Sequence, residues 1–160
     1  MTIKIRKVLF PTDFSELGQI AMRYARELAE QFGAQLYCLH VVDDAQQCWA
    51  ALGPEAAPVA APIEDIQSAA ETQMQAFSDE HLVGLNYVPV CQVRVGRPFH
   101  EINTYAAEIA ADVIVMATHG RTGVMHALLG STTEKVIRTA PCPVLTVRSG
   151  ERDFIEPESS

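Results

Sequence analysis

Short apolar runs alternate along the chain with stretches in which apolar residues recur every three or four positions. Continuous apolar runs are typical of strands covered on both faces of a parallel sheet, whereas the longer period indicates amphipathic helices. The runs predict five strands, at 3–10, 35–42, 87–95, 112–116 and 143–147. The periodic stretches predict four intervening helices, at 17–32, 63 to near 84, 98–109 and from 131 onwards.

Capping residues agree with these limits. Ser15 is a plausible N-cap and Gly33 a plausible C′ residue for the first helix. Pro98 suits a first helical position, where its missing N–H costs nothing. Ser131 is expected to open the last helix, because Glu134 follows it at the spacing of a capping box.

The order of elements predicts an α/β fold: one Rossmann-like, doubly wound domain with a five-stranded parallel sheet in the order 3-2-1-4-5 and helices on both faces. We expect the domain to span residues 1–148. An exposed Ala- and Pro-rich loop is expected at 43–62, and a flexible acidic tail at 149–160.

The charge balance limits the classes of partner. Twelve basic and 20 acidic residues give a net charge of -8, which argues against nucleic acid or an anionic membrane as a partner. The apolar runs are too short to span a bilayer, and residues 1–7 do not resemble a signal peptide. We therefore expect a cytoplasmic protein.

The four cysteines show neither a CxxC pair nor metal-ligand spacing with histidine. They are expected to be buried, reduced thiols in a reducing compartment. Cys38 and Cys91 could be neighbours on adjacent strands, but the sequence shows no group that would activate either thiol.

A ligand site is expected where the strand order reverses, since open parallel sheets bind ligands beyond the carboxyl ends of their strands. With the predicted order, this crevice lies between the first and fourth strands. The residues expected to line it are Pro11, Thr12 and Asp13 after the first strand, Val41 as an apolar wall, and Met116, Ala117 and His119 after the fourth.

The loop after the fourth strand is rich in glycine, with Gly120, Gly123 and Gly130. Glycines permit close backbone approach, and the free amides of the following helix favour phosphate. Hydroxyl donors would come from the start of that helix, namely from Ser131, Thr132 and Thr133. The alternative is that the glycines only shape a surface turn and that Ser131 and Glu134 only cap the helix.

Four single residues also have two interpretations. Asp13 could accept hydrogen bonds from a nucleoside or merely begin the first helix. His119 could contact phosphate, although a role within its own loop is favoured. Arg121 could screen phosphate charge or point into solvent, and His40 is interpreted as a hydrogen-bonded core histidine.

Known catalytic motifs are missing from the sequence: HExxH, GxSxG, the Walker GxxxxGK[ST] and GxGxxG after the first strand. The pattern therefore predicts a binding protein rather than an enzyme, with weak ATP hydrolysis as the most it would support.

Six segments together resemble the universal stress protein family across residues 3–147. They are KVLFPTDFS (7–15), LHVVD (39–43), GRPFHEI (96–102), DVIVMATHGRTG (112–123), LLGSTTEKV (128–136) and APCPVLTV (140–147). The ATP-binding branch of that family carries G-x2-G-x9-G-[S/T]. Gly120 and Gly130-Ser131 match this pattern, but Ala117 replaces its first glycine.

The resemblance implies an ATP-binding regulatory protein of the stress response. It implies that Asp13 contacts adenosine, that Val41 contacts adenine, and that Ala117, Gly120 and Gly130 line the phosphate loop. Mg²⁺ could accompany the triphosphate. It further implies a homodimer paired through the last strand, Pro143–Val147, as an exposed edge would allow. The alternative is an interaction module of the same fold that does not bind nucleotide.

Overall fold

The computed structural model describes residues 1–43, 62–119, 129–150 and Ile155. Strands and helices alternate within these ranges. Their bounds are β1 (Lys7–Pro11), α1 (Glu16–Phe32), β2 (Gln35–Asp43), α2 (Ile63–His81), β3 (Val90–Gly96), α3 (Pro98–Glu108), β4 (Val113–Ala117), α4 (Ser131–Thr139) and β5 (Val144–Val147).

The five strands form one parallel sheet in the order β3-β2-β1-β4-β5, which confirms the predicted α/β topology. β1 is central: Val8 pairs with Leu36 of β2 on one side and with Val113 of β4 on the other. β3 and β5 are the two edge strands. The strand order reverses between β1 and β4, so their carboxyl ends flank the crevice expected for a ligand.

Each face of the sheet has its own core, because side chains alternate along a strand. Val8 and Phe10 of β1 enter the core beneath α1 and α2, whereas Leu9 enters the core beneath α3 and α4. All three side chains are fully buried. Burying such a side chain typically contributes about 1.5–3 kcal/mol, so β1 anchors both layers.

β1 begins at Lys7 rather than at the predicted Ile3, and Ile3 is 74% exposed. The carboxylate of Asp112 accepts hydrogen bonds from the amides of Arg6 and Lys7, at 2.7 and 3.0 Å. These amides are thereby satisfied by a side chain rather than by a neighbouring strand, and β1 begins at Lys7, the second of the two residues.

β3 also begins later than predicted, at Val90 instead of Tyr87. Pro89 has no N–H to donate, so the ladder with β2 cannot extend across it, and the first pair is Tyr37 with Val90. The other strand limits differ from the prediction by one residue, as is common at strand ends, and β2 includes Asp43.

Both predicted caps of α1 are confirmed. The Ser15 hydroxyl accepts from the Gly18 amide at 3.1 Å, and Gly33 ends the helix with a left-handed φ of 61°. Pro98 opens α3 as predicted. α2 ends at His81, short of the predicted limit near Gly84.

The predicted capping box of α4 is wrong. Gly130, not Ser131, occupies the N-cap position, and no side chain among the described residues caps the helix. The Gly130 amide is held 2.7 Å from the Thr118 carbonyl, and the N-cap lies one residue earlier than the capping box required, although α4 begins at Ser131 as predicted. Glu134 then lies too far along to reach back, and it pairs instead with Arg138 at 3.0 Å.

The expected loop at 43–62 lies outside the described residues apart from its two ends, as does the expected tail at 149–160 apart from residues 149, 150 and 155. Ile155 is half-buried and packs against the core beneath α1 and α2. No described helix is both long and apolar enough to cross a membrane.

The expectation of buried thiols holds for one of the three described cysteines. Cys38 is buried, Cys142 is half-buried and Cys91 is exposed, because β3 is an edge strand. Burial is the main cause that raises the pKa of the Cys142 thiol above its usual value. Cys48 lies outside the described residues.

Candidate functional site

The turn after β1 is tightly organised. The buried Thr12 donates its amide to the Leu39 carbonyl at 2.8 Å, which extends the pairing of β1 with β2. Its hydroxyl accepts from the Phe14 amide at 3.0 Å, and the Asp13 carboxylate accepts from the Ser15 amide at 3.1 Å. Asp13 is half-buried just beyond the carboxyl end of β1. Its hydrogen bond with Ser15 helps to begin α1, which was one of the two roles predicted for Asp13.

Phe14 adopts a left-handed φ of 61° within this turn. That conformation costs a bulky residue about 1–2 kcal/mol, so the surroundings must hold it. Its ring centroid lies 4.5 Å from that of His40 and 5.7 Å from that of Phe77. Packing at Phe14 therefore holds the direction that the chain takes at Asp13, just after β1.

His40 supports the same turn from the neighbouring strand. Its Nδ1 lies 2.8 Å from the carbonyl oxygen of Thr12. A carbonyl only accepts hydrogen bonds, so Nδ1 carries the proton and donates. His40 is thus hydrogen-bonded, as expected, but it is half-buried and belongs to the support of the site. Sequence reasoning missed that role; the only signal was a polar residue near the end of an apolar strand.

The β4 side of the crevice is built from backbone groups. Ala117 ends β4, and its carbonyl accepts from the Thr133 hydroxyl at 3.0 Å. The Thr118 amide donates to the Val147 carbonyl at 2.9 Å, and the Thr118 carbonyl accepts from the Gly130 amide at 2.7 Å. The end of β4 is thereby bound to β5 and to the start of α4. Thr133, expected as a ligand donor, is buried and serves this structure instead.

Gly130 lies where there is no room for a side chain. A Cβ at this position would lie 3.0 Å from the Thr118 carbonyl oxygen and 3.5 Å from the His119 Cα. Its φ of -69° suits any residue, so close approach rather than backbone conformation requires glycine here. This contact places the amino end of α4 directly beyond the carboxyl end of β4.

Three further expected residues lie around this edge. Pro11 is the half-buried last residue of β1, and Val41 is half-buried near the end of β2, where it packs against the core beneath α3 and α4. Met116 is 5% exposed, and its side chain belongs to that same core.

The remaining residues follow β4 in the chain. His119 is half-buried, and its Nδ1 lies 3.0 Å from the Thr118 hydroxyl, in line with the favoured role within its own loop. Ser131 is exposed and Thr132 is half-buried in the first turn of α4. Gly120, Arg121 and Gly123 lie outside the described residues.

The described residues contain no cluster of three or more His, Cys, Asp or Glu side chains that could hold a metal ion. What the arrangement offers is a set of backbone donors and hydroxyl groups around a helix start, opposite a carboxylate. Such a set is suited to a ligand that has an anionic group for the helix start and hydrogen-bond donors for the carboxylate.

The fold and this edge define a doubly wound α/β domain with a candidate binding crevice at its topological switch point. The profile of the universal stress protein family matches residues 4–148. The chain therefore belongs to the universal stress protein family.

Sequence relatives agree with this assignment. Universal stress protein MJ0531 of Methanocaldococcus jannaschii is 30% identical, with 92% of this chain and 85% of the relative covered. Universal stress protein MJ0577 of the same organism is 29% identical, with 92% and 98% covered.

Solved structures agree as well. The structure of hypothetical protein MJ0577, described as a structure-based assignment of biochemical function, superposes with a TM-score of 0.77 at 28% identity, over 94% of this chain and 100% of that one. A universal stress protein in complex with cAMP superposes with a TM-score of 0.66 over 91% and 98%, and at 20% identity this likeness concerns the fold.

Proposed function

We propose that this chain binds an adenine nucleotide, ATP in the first place, between the carboxyl ends of β1 and β4, and that it acts as a regulatory protein of the stress response rather than as an enzyme. The observation that carries the proposal is the start of α4. Gly130 is held against Thr118, and no described side chain caps the helix. Free amides and the helix dipole favour a phosphate at such an end.

The proposed contacts divide the nucleotide between the two strand ends. Asp13 contacts the nucleoside, beside the apolar wall of Val41. The phosphates lie at the start of α4, where Ser131 and Thr132 add hydroxyl donors. Mg²⁺ accompanies the triphosphate. The other proposed lining residues are Pro11, Thr12, Met116, Ala117, His119, Gly120, Arg121, Gly123 and Gly130.

Ala117 bears on the alternative, an interaction module that does not bind nucleotide. Only Phe14 and Ala110 among the described non-glycine residues have positive φ, so Ala117 needs no glycine conformation. It ends a regular strand, and it packs against the core beneath α1 and α2. Its methyl group is therefore partly accommodated by the core, which favours the nucleotide-binding hypothesis.

The net charge of -8 makes local donors necessary for an anionic ligand. A fold neighbour in complex with cAMP makes a second adenine nucleotide worth comparing. The two ligands differ in charge and in the number of phosphate groups that α4 can contact. ATP is expected to bind more tightly, because its extended phosphates reach the helix start.

Calorimetric titration of the purified chain with ATP and Mg²⁺, and in parallel with cAMP and GTP, tests the proposal. Saturable ATP binding with a Kd below about 1 mM supports it, since that corresponds to about 4 kcal/mol of binding free energy. Absence of ATP binding at that level defeats it and favours the interaction module. Mass spectrometry of the denatured protein, purified without added ligand, checks independently for retained nucleotide.

We further propose a cytoplasmic homodimer that pairs through its last strand. β5 is an edge strand, and Val144, Leu145 and Thr146 are only half-buried. Unpaired backbone groups on such an edge can pair with a second copy. Sedimentation of the wild type and of a Thr146→Pro variant measures this, because proline removes one backbone donor. A wild type that sediments as a monomer contradicts it.

A further inference from the structure

Cys38 and Cys91 form a thiol pair that the nucleotide proposal does not use. They are direct register partners on the adjacent parallel strands β2 and β3. Neighbouring strands lie about 4.8 Å apart, and disulfide-bonded cysteines usually have Cα atoms about 4.4–6.8 Å apart. Register partners on parallel strands point to the same face of the sheet, so the two side chains are adjacent. The backbone already holds them at a distance that a disulfide can span.

The two thiols differ in their access to solvent. Cys38 is fully buried in the core beneath α1 and α2, whereas Cys91 is exposed on the edge strand. Cys91 also lines a surface cleft of about 290 Å³ between α2 and β3. The other described lining residues are Gln67, Glu71, Met74, Gln75, Gln92 and Val93. A small polar reagent can therefore reach Cys91 first.

The surroundings of Cys91 stabilise its thiolate. Hydrogen bonding from Cys38 is the main cause that lowers the pKa of Cys91 to about 7, burial opposes it, and a hydrogen bond with Ser78 of α2 adds to it. The hydrogen bond to Cys91 and burial raise the pKa of Cys38 well above its usual value. Cys38 thus keeps its proton at neutral pH. Glu71 is the one charged side chain among the described cleft residues.

We propose that Cys91 is an oxidant-sensing thiol that reacts with hydroperoxides and is then resolved by Cys38 as an intramolecular disulfide between β2 and β3. This proposal is independent of nucleotide binding. The thiol pair lies in the half of the sheet formed by β2 and β3, on the other side of β1 from β4 and β5.

The two chemical steps balance. In the first, the Cys91 thiolate attacks the outer oxygen of a hydroperoxide: an S–O bond forms, the O–O bond breaks, and the leaving alkoxide or hydroxide takes a proton. Cys91 becomes a sulfenic acid as the peroxide is reduced. In the second, the Cys38 sulfur attacks the Cys91 sulfur, the S–O bond breaks, and the hydroxyl leaves as water with the Cys38 proton. A dithiol reductant reverses the result by exchange.

The test uses hydrogen peroxide on the full chain carrying Cys48→Ser and Cys142→Ser, so that only the pair remains. The expected product has lost two hydrogens, is not cross-linked between chains, and returns to its starting mass with a dithiol reductant. Mapping needs a protease that cuts after acidic residues. No Lys or Arg lies between Arg26 and Arg94, so trypsin would leave both cysteines in one peptide, whereas cleavage at Glu55 to Glu80 separates them.

A matched variant that retains only Cys142 is the rate control. At pH 7 the pair is expected to consume peroxide at least about tenfold faster than Cys142, because thiolate is the reactive form. Equal rates overturn the proposal, and so does a disulfide that joins Cys91 to a second chain.

A Cys38→Ala substitution in the pair background isolates the second step. Without the resolving thiol, Cys91 is expected to accumulate as sulfenic acid that dimedone captures and that excess peroxide oxidises further. Dimedone labelling no higher than in the pair variant contradicts the assigned role of Cys38. Should the alanine variant fail to fold, the peptide map of the pair variant still decides between the two outcomes.

Discussion

The β1–β4 edge and the β2–β3 thiol pair occupy different halves of one sheet and rely on different kinds of group. At the β1–β4 edge, backbone donors and a helix start are arranged by Gly130 and Thr118. At the β2–β3 pair, two side chains placed in register alter each other's acidity. A site made of backbone geometry tolerates many side chains but no added volume. A site made of thiols depends on two particular residues and on the strand register that aligns them.

Enlarging Gly130 is the strongest way to break the first site. A Gly130→Val substitution is expected to weaken ATP binding at least about tenfold, or about 1.4 kcal/mol, because its Cβ meets the Thr118 carbonyl and displaces the start of α4. Calorimetric titration measures the loss. Gly33→Ala is the control: it strains a left-handed residue at the opposite edge and should lower stability while ATP affinity stays unchanged. Equal affinity in the valine variant would remove α4 from the site.

Alkylation at varied pH tests the β2–β3 thiol pair through the reactivity of Cys91. Iodoacetamide is expected to modify Cys91 about tenfold faster than Cys142 at pH 7, because the larger thiolate fraction of Cys91 is only partly offset by the lower nucleophilicity of a more acidic thiol. A folded-state pKa of about 7 means that the Cys91 rate rises through pH 7 and levels off above it. Quantitative mass spectrometry of the folded protein gives both rates. In denaturant the difference should vanish; a difference that persists there contradicts the structural cause.

Removing the charge of Asp13 separates its two roles. Asp13→Asn keeps an oxygen that can accept from the Ser15 amide, as the carboxylate does at 3.1 Å. Stability is therefore expected to change by less than about 0.5 kcal/mol. ATP affinity is expected to fall roughly fivefold, or about 1 kcal/mol, because the nucleoside loses a charged acceptor. Thermal unfolding and titration of one sample give both numbers. A loss of stability without a loss of affinity would leave Asp13 as a helix-starting residue only.

Ser15→Ala provides the smallest expected effect on the site. The variant loses the hydrogen bond that the Gly18 amide donates to the Ser15 hydroxyl, which costs about 1 kcal/mol of unfolding free energy. Binding of ATP is expected to change less than twofold, since Ser15 caps α1 and does not line the crevice. Urea unfolding measures the first effect and titration the second. A large loss of affinity would mean that the cap itself positions Asp13.

Much of the architecture followed from local pattern. Apolar runs and helical periods predicted strands alternating with helices in an α/β fold, and Ser15 and Gly33 predicted the limits of α1. Two of the errors arose where a distant residue supplied the hydrogen bond. Asp112 satisfies the amides of Arg6 and Lys7 at the start of β1, and Thr118 holds Gly130 so that Ser131 cannot cap α4. Neither contact leaves a trace in the spacing of neighbouring residues.

The candidate site divides in the same way. Asp13, Ala117 and Gly130 could be selected from the sequence, because turn residues and glycines after apolar strands have a local meaning. The sequence did not show that His40 hydrogen-bonds to the Thr12 carbonyl. Nor did it show that the Thr133 hydroxyl binds the Ala117 carbonyl rather than a ligand. Both assignments depend on hydrogen bonds that cross between elements, at 2.8 and 3.0 Å.

The sequence alone determined the family resemblance, the α/β class and the strand ends at which a ligand should lie, because hydrophobic period and turn chemistry are local properties of a chain. Tertiary structure alone decided that Cys38 and Cys91 share one register and that their acidities diverge. It also decided that Gly130 has no room for a Cβ. Register and close approach depend on how separate elements pack, and residues far apart in the chain meet only after that packing is complete.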